Sequence, residues 1–445
     1  MLPARAHKGT RNLHETAAAP SLAPRATTTG EPRALLTGII ALAFTMNMVG
    51  RGMSETFAVF LKPVEAGLNA SRPDVTAAYS IFMLVLGLSG PVAGQVFDRL
   101  GARASYCGGL LVLGAGYYLA GSATAMWQYY LCFGVLGGIG VAALGMVSAS
   151  GLLSRWFTNR LGTVMGFAYA AMGVGVQLLA PLTQVLISTY GWRDAYHLLG
   201  GAMVIIAAVL VVMPLTRMWR GSQAWRTKRL SPEAAHQSWD LASAVRTPAF
   251  WALFFVYIFT SGAAYSVMPQ AVAFLIEQGF NPLTAASIFG LAGALSIAGN
   301  FSIGLLADRF GRRPMVTLSY LGTIFGIISL MLVAWQPMLV FAYGWVFLFG
   351  TNQGTRGPII TTLVAILFAG GGVSRIYGAV TLGMGLGAAI GSWASGYLQK
   401  ATGGYIASFT MAAVMAALGL AMFYVVPALG AQRLAAGAQR AGAKT

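Results

Sequence analysis

Charged residues are scarce in this sequence, and acidic residues are scarcer than basic ones. Asp, Glu, Lys and Arg make up 9% of the 445 residues, and Asp and Glu together number 11. Soluble domains contain about 25% charged residues, so this composition excludes an ordinary soluble protein. Hydrophobic residues reach 57% and the mean hydropathy is +0.70, which predicts an integral membrane protein.

Side chains that carry catalysis or bind metals are also sparse. The two cysteines, Cys107 and Cys132, lie inside apolar runs, where packing is their expected role. The sequence contains no P-loop and no His, Cys and Asp spacing typical of metal ligands, so we expect no cofactor and no bound metal. The glycine-rich stretch at 383–387 lies inside an apolar run, which favours helix packing over phosphate binding. A membrane-embedded enzyme would need paired catalytic groups, and a receptor would need a soluble domain; the sequence favours neither class.

Apolar runs of about 20 residues recur along the chain, each long enough at 1.5 Å per residue to cross a hydrocarbon core of about 30 Å as a helix. They predict twelve spans, at 35–60, 75–97, 104–125, 128–153, 161–188, 195–216, 249–276, 283–307, 314–335, 338–368, 374–399 and 404–427. The expected fold class is all-α integral membrane, with twelve transmembrane helices in two pseudo-symmetric six-helix bundles.

The positions of the basic residues predict the orientation of the spans. With the N-terminus inside, the inner segments carry 22 Lys and Arg residues, whereas the outer loops carry four, namely Lys62, Arg72, Arg193 and Lys400. This bias is typical of cytoplasmic loops, so we expect a multi-pass protein of the inner (cytoplasmic) membrane with both termini in the cytoplasm. Insertion and attraction to anionic lipid explain the net charge of +17, and no nucleic-acid partner is required.

The longest polar stretch between spans divides the chain into two halves. The expected organisation is a disordered cytoplasmic tail (1–33), an N-terminal bundle (34–216), a basic cytoplasmic linker (217–248), a C-terminal bundle (249–430) and a second cytoplasmic tail (431–445). A monomer embedded in lipid is expected.

An internal repeat supports this division. GQVFDRLGAR at 94–103 and GLLADRFGRR at 304–313 share G-x-x-x-D-R-x-G-x-R at an offset of 210 residues. Each copy lies in the inner loop after the second span of its half, where an acid beside arginines can join the two bundles in one conformation and release them in another. Topological anchoring by positive charge is the alternative. The candidate gating residues are Asp98, Arg99, Arg103, Asp308, Arg309 and Arg313.

This loop signature resembles that of the major facilitator superfamily, and the resemblance covers residues 34–427. Three further segments resemble the monocarboxylate transporter and oxalate:formate antiporter branch: FAVFLKPVEAGLNASRPDVTAAYSI at 57–81, SRWFTNRLGTVMGFAYAAMGVGV at 154–176 and YGWRDAY at 190–196. The resemblance implies two bundles that rock about a central site, without ATP or metal. It also implies a secondary transporter of a small organic anion, with a monocarboxylate the expected class, that is proton-coupled or exchanges anions. A proton-driven exporter of drug-like or other small molecules is the alternative.

Two charged residues interrupt the first span. An ionisable group inside a span costs about 2.5–3.5 kcal/mol on insertion scales, so it usually has a role. Arg51 and Glu55 are four residues apart, which places them on one helix face and predicts an ion pair. Either the pair is static, or Arg51 attracts the anion and Glu55 serves as its exchangeable counter-ion or proton carrier.

A third charge, Arg356, lies in the tenth span within TNQGTRGP at 351–358. Gly354, Gly357 and Pro358 weaken helical bonding there, and interrupted helices at mid-membrane are a recurrent way to build substrate sites. A positive charge with no acid in its own helix suits a carboxylate. A structural arginine that binds carbonyl groups at a kink is the alternative.

One position departs from the branch that the sequence resembles. Its eighth helix usually carries a carboxylate-binding arginine where this chain has Asn300, and proton-coupled members place an acid where this chain has Ser296. Arg356 would then replace the missing charge and Asn300 would remain a hydrogen-bond donor. Further polar candidates lie mid-span, where interhelical hydrogen bonding is the alternative role: Asn352, Tyr257, Tyr265 and Gln177.

Overall fold

The computed structural model describes residues 33–157, 161–222, 241–310, 312–368, 373–426 and 429, and the regular elements among them are helices. The first half contains α1 (Arg33–Glu55), α2 (Phe57–Gly67), α3 (Arg72–Gly121), α4 (Met126–Tyr129), α5 (Gly138–Leu144), α6 (Met146–Ser154), α7 (Leu161–Val212) and α8 (Leu215–Trp219). The second half contains α9 (Leu241–Val245), α10 (Pro248–Glu277), α11 (Pro282–Phe310), α12 (Arg312–Val333), α13 (Leu339–Trp345), α14 (Arg356–Leu367), α15 (Val373–Thr402) and α16 (Ile406–Val425). Nearly all of both predicted tails and most of the predicted linker lie outside the described residues.

Nine helical segments in the described part of the chain are long and apolar enough to cross a membrane. Two of them, Arg72–Gly121 and Val164–Val212, bend at Gly101 and Gly191, so each supplies two crossings. The φ angles there are 93° and 83°, a region that favours glycine. Another crossing is interrupted between Leu339–Gly350 and α14. Counting the bent segments twice and adding the interrupted helix gives twelve crossings, which confirms the predicted all-α membrane fold.

The backbone repeats its irregularities at the spacing of the sequence repeat. Asn69 and Gly279, 210 residues apart, both adopt positive φ, at 48° and 92°. Gly145 interrupts the fourth crossing with a ψ of −168°, and a turn at 353–355, with Gly354 at φ 82°, interrupts the tenth. A π-helical segment precedes each interruption, Tyr130–Gly137 in one half and Val346–Gly350 in the other. Such segments often occur at functional sites.

The two halves pack along α3 with α15 and along α7 with α11. A Cβ atom added to Gly87 would lie 3.3 Å from the Cα atom of Gly385, and the Ser392 hydroxyl donates to the Thr76 carbonyl at 3.3 Å. Helices in lipid associate through small residues that allow close approach. The stretch 383–387 therefore contributes to helix packing.

Candidate functional site

Arg51 and Glu55 of α1 face the boundary between the halves. Arg51 Nη2 lies 2.8 Å from Glu55 Oε1, so the predicted ion pair is present. Glu55 is 2% exposed, and its carboxylate also accepts a hydrogen bond from the Tyr79 hydroxyl at 3.3 Å. Arg51 is 19% exposed and donates through Nη2 to the hydroxyl of Tyr265 on α10, in the second half. The guanidinium therefore contacts both halves.

Next to the pair the helix is interrupted, and a backbone carbonyl at the interruption accepts hydrogen bonds from two side chains. α1 ends at Glu55 and α2 begins after Thr56, whose hydroxyl donates to the Met53 carbonyl at 2.7 Å. The Tyr117 hydroxyl of α3 donates to the same carbonyl at 2.5 Å. Buried backbone groups need such partners, so these bonds stabilise the bend directly beyond the pair.

On the face of α1 that carries Arg51, side chains are partly or fully exposed as far as Arg51, and the residues beyond it are buried. From Gly52 to Leu61 every residue is buried. Because Arg51 contacts Tyr265, its face of the helix is turned towards the second half. The residues of that face are partly or fully exposed and lie at helical spacing: Thr37, Ala41, Phe44, Met48 and Arg51.

A group of charged residues joins the halves at the end of the transporter where α3 begins. We call this end of the molecule the Arg72 end. Lys62, Glu65 and Arg72 of the first half meet Glu277 and Tyr405 of the second half. We call these five residues the charged cluster. Glu277 is twelve residues along α10 from the partner of Arg51, which is about 18 Å at 1.5 Å per residue.

Three tyrosines join the halves on the other side of Arg51, towards what we call the Asp98 end. Tyr169 of α7 hydrogen-bonds to Tyr377 of α15, whose hydroxyl lies 3.2 Å from that of Tyr257 on α10. We call these residues the tyrosine trio. Tyr257 is eight residues along α10 from Tyr265, or about 12 Å. Arg51 therefore lies between two contacts that connect the halves.

Arg356 belongs to a separate group inside the second half. Its Nη2 donates to the Thr323 hydroxyl at 2.5 Å and to the Asn352 carbonyl at 3.2 Å. The guanidinium carbon lies 4.4 Å from the centre of the Tyr320 ring, and the residue is 4% exposed. These contacts favour the alternative of a structural arginine at a kink, because the side chain is directed to α12 and to its own backbone. Anion binding by Arg356 stays a prediction.

Two of the other predicted polar residues, Asn352 and Asn300, lie with Arg356 at the interruption of the tenth crossing. Asn352 Nδ2 donates to the Leu348 carbonyl at 2.7 Å, and Asn300 lies beside Gly354 at the same helix interruption. Asn300 Oδ1 and Gln177 Oε1 are buried with no hydrogen-bond partner among the described residues. The structure thus brings together Arg51, Glu55 and Tyr265 from the predicted set, whereas Asn300, Asn352, Gln177 and Tyr257 lie elsewhere. In the described ranges, no three His, Cys, Asp or Glu side chains are arranged to hold a metal ion.

Two helical halves, related by a repeat and meeting around a charged residue, are the architecture of one large transporter family. The family model described as Major Facilitator Superfamily matches residues 40–373. The chain belongs to the Major Facilitator Superfamily. It is therefore a multi-pass secondary transporter and not an enzyme.

Curated relatives include transporters from mammals and bacteria. Monocarboxylate transporter 13 of Rattus norvegicus is 27% identical over 399 residues, covering 87% of this chain and 88% of its own. Monocarboxylate transporter 11 of Homo sapiens is 26% identical over 399 residues, covering 87% and 82%. The uncharacterized MFS-type transporter YhjX of Escherichia coli is 23% identical over 359 residues, covering 79% and 84%.

Solved structures of other members of the superfamily share the fold. The D-xylose-proton symporter superposes with a TM-score of 0.70 at 15% identity, covering 89% of this chain and 99% of that structure. A bacterial homolog of the human lysosomal transporter Spinster, inward-facing and occupied, gives 0.68 at 15% identity, covering 89% and 97%. This likeness concerns the fold alone.

The first loop signature of the transporter contacts its own half. Asp98 Oδ1 accepts a hydrogen bond from Arg155 Nη2 at 2.6 Å, and Arg103 donates to the Met213 carbonyl at 3.2 Å, while Arg99 is exposed. In the second copy, the side chains of Asp308 and Arg309 lie outside the described residues, and the Arg313 guanidinium is 5.9 Å from the Tyr424 ring. Gating by these residues stays a prediction.

The sequence predicts Tyr257 among the site residues, but it does not predict the other residues that connect the halves of the transporter on either side of Arg51. It identifies Arg72 only as one of four basic residues in outer loops. One signal was available, since Glu65 and Glu277 place two of the chain's 11 acids near the outer ends of spans, where bases are few. No comparable signal distinguishes Tyr169 and Tyr377 among 17 tyrosines.

Proposed function

We propose that this transporter moves a small organic anion, in particular a monocarboxylate, by alternating access, and that Arg51 binds the carboxylate. The observation that supports the proposal is the position of the guanidinium, which contacts Glu55 in its own half and Tyr265 in the other. A guanidinium can bind a carboxylate through two parallel hydrogen bonds. A ligand held there would touch both halves and could therefore bias their arrangement.

Glu55 is the proposed proton carrier. The Arg51–Glu55 pair is neutral, so a carboxylate that binds Arg51 beside an ionised Glu55 adds an uncompensated negative charge in a region 2% exposed at Glu55. Protonation of Glu55 removes that charge and releases the guanidinium for the ligand. One proton would then accompany each monocarboxylate.

Anion exchange is the other form of the same mechanism. If Glu55 stays protonated through the cycle, Arg51 would need an anion whenever the halves rearrange, and one carboxylate would leave only as another enters. The pair seen here favours proton coupling, because Glu55 at 2.8 Å restores neutrality to the empty site.

The curated relatives add support of a different kind. Two of them are named monocarboxylate transporters and align with 87% of this chain. Their names describe those proteins, and at 26–27% identity they favour a carboxylate over other anions as the ligand class. The charge bias of the loops supports placement in the cytoplasmic membrane with both termini inside.

A proton-driven exporter of drug-like molecules is the second candidate. The feature that favours it is the buried Glu55, which accepts a hydrogen bond from Tyr79, whose ring lies 6.0 Å from that of Tyr265, since an acid and aromatic rings suit a cationic ligand. Arg51 at 2.8 Å opposes it, because a cation would have to displace an existing one.

Uptake into proteoliposomes distinguishes the candidates. Radiolabelled L-lactate, pyruvate and oxalate are offered with and without an imposed pH gradient, alongside a cationic dye. We expect accumulation of at least one carboxylate, driven by the gradient and abolished in Arg51→Ala. Arg193→Ala is the matched control, because Arg193 donates to the Ala123 carbonyl within its own half. Transport of the dye alone, unaffected by Arg51→Ala, would contradict the proposal.

A further inference from the structure

Arg72 is surrounded by acceptors from both halves. Its Nε donates to Glu65 Oε2 at 2.9 Å, its Nη1 to the Tyr405 hydroxyl at 2.6 Å and its Nη2 to Glu277 Oε1 at 2.8 Å. The side chain is 5% exposed. Each of its three nitrogens therefore has a partner, and two of the three partners belong to the second half.

A second base reinforces the same connection. Lys62 Nζ lies 3.3 Å from Glu277 Oε1, so one carboxylate oxygen receives two cations from the first half. Lys62 and Arg72 balance Glu65 and Glu277 in charge. If the halves separated here, Arg72 would keep Glu65, which lies in its own half, whereas Glu277 would lose both cations.

Apolar side chains seal the boundary between the charged cluster and Arg51. Ala58 and Val59 of α2 are each 2% exposed and belong to the same buried core as Val267 and Ala271 of the second half. Because these residues lie on the path from the Arg72 end to Arg51, the site is closed on that side. Opening at this end would expose these apolar side chains to water, which is unfavourable, and the charged cluster adds specific polar contacts across the same boundary.

We propose that Arg72 is a gating residue, which holds the Arg72 end closed by binding Glu277 and Tyr405 across the two halves. The transporter opens at this end only when both contacts break. Glu65 binds Arg72 within the first half, so this contact persists whether the end is open or closed and does not favour either arrangement. This role does not depend on the identity of the substrate.

A buried reporter cysteine measures the opening directly. Ala58→Cys is introduced in a background in which Cys107 and Cys132 are replaced by alanine, and the protein in nanodiscs is labelled with a membrane-impermeant maleimide. Charge-assisted hydrogen bonds contribute about 1.5–3 kcal/mol, so loss of one should raise the open population at least about tenfold. We expect Glu277→Gln to increase the labelling rate by about that factor, and Tyr405→Phe to increase it less.

Glu65→Gln is the matched control, because it removes an ion pair of the same cluster that lies within one half. We expect its labelling rate to stay near that of the unmodified protein. Unchanged labelling in Glu277→Gln would overturn the proposal, and so would an equal increase in Glu65→Gln, since the effect would then come from loosened packing. Melting temperature and size-exclusion elution of each variant identify misfolded protein. Labelling requires no substrate, so its outcome is independent of whether the anion proposal holds.

Discussion

Replacing Glu55 with glutamine imitates the protonated carboxyl group at nearly constant size. The substitution removes the negative charge 2.8 Å from Arg51 and retains an acceptor for the Tyr79 hydroxyl. Arg51 keeps its contact with Tyr265. We therefore expect Glu55→Gln to bind carboxylates more tightly at neutral pH, and to bind them with little dependence on pH.

The magnitude follows from the geometry. Two unit charges 2.8 Å apart attract by about 6 kcal/mol at an effective dielectric constant of 20, before the cost of desolvation is subtracted. A ligand carboxylate that replaces Glu55 recovers most of this attraction. The net gain when the competitor is removed should be that of one charge-assisted hydrogen bond, about 1.5–3 kcal/mol, which corresponds to about ten- to hundredfold in Kd.

Isothermal titration of L-lactate and pyruvate between pH 5.5 and 7.5 measures both effects. The unmodified transporter should bind more tightly as the pH falls, because protonation of Glu55 releases Arg51. Glu55→Gln should bind with constant, higher affinity, and in proteoliposomes it should exchange anions without responding to a pH gradient. Equal Kd values and equal pH dependence in the two proteins would refute the assignment of Glu55 as the proton carrier.

Further predictions concern helix interruptions and packing. Arg356→Met should lower the melting temperature, because Thr323, the Asn352 carbonyl and the Tyr320 ring lose their cationic partner. The carboxylate Kd should stay within about threefold, and a large change in Kd at constant melting temperature would identify Arg356 as a ligand instead. Gly354→Ala should cost about 1–2 kcal/mol of stability in thermal unfolding because φ is 82°, whereas Gly357→Ala, where an added Cβ meets nothing within 4 Å, should cost less; equal losses would contradict this. Gly385→Ala should slow transport because its Cβ would lie 3.2 Å from the Met83 carbonyl, and Gly378→Ala, with open space around it, is the control on the same helix.

The crossings were predictable because hydropathy and length determine them. The bend at Gly101 sets where the second crossing ends and the third begins, and the bend at Gly191 does the same for the fifth and sixth, because the helix continues through each bend. Periodicity alone does not show that a glycine with positive φ replaces a loop. The fourth and tenth crossings carry interruptions at Gly145 and Gly354, and their correspondence became visible only in the backbone.

The candidate site was predictable where the interaction is local. Arg51 and Glu55 are one helical turn apart, so their pairing follows from spacing. The contact between Arg51 and Tyr265 spans 214 residues, and that between Arg72 and Glu277 spans 205, and such contacts depend on how the halves pack. Arg356 shows the same limit: its sequence position places it at mid-span, but the turn at 353–355 determines that it points to α12.

The most direct measurement compares carboxylate binding in two variants that leave no unpaired acid at the site. Glu55→Gln retains Arg51 alone, and the double variant Arg51→Gln/Glu55→Gln replaces the ion pair with two neutral side chains of similar size. Thermal stabilisation by L-lactate, pyruvate and oxalate at one fixed pH reports binding to each, since a ligand stabilises the folded form by mass action. If Arg51 holds the anion, Glu55→Gln is stabilised by at least one carboxylate and the double variant by none. Equal stabilisation of both variants would contradict the proposal that Arg51 binds the carboxylate.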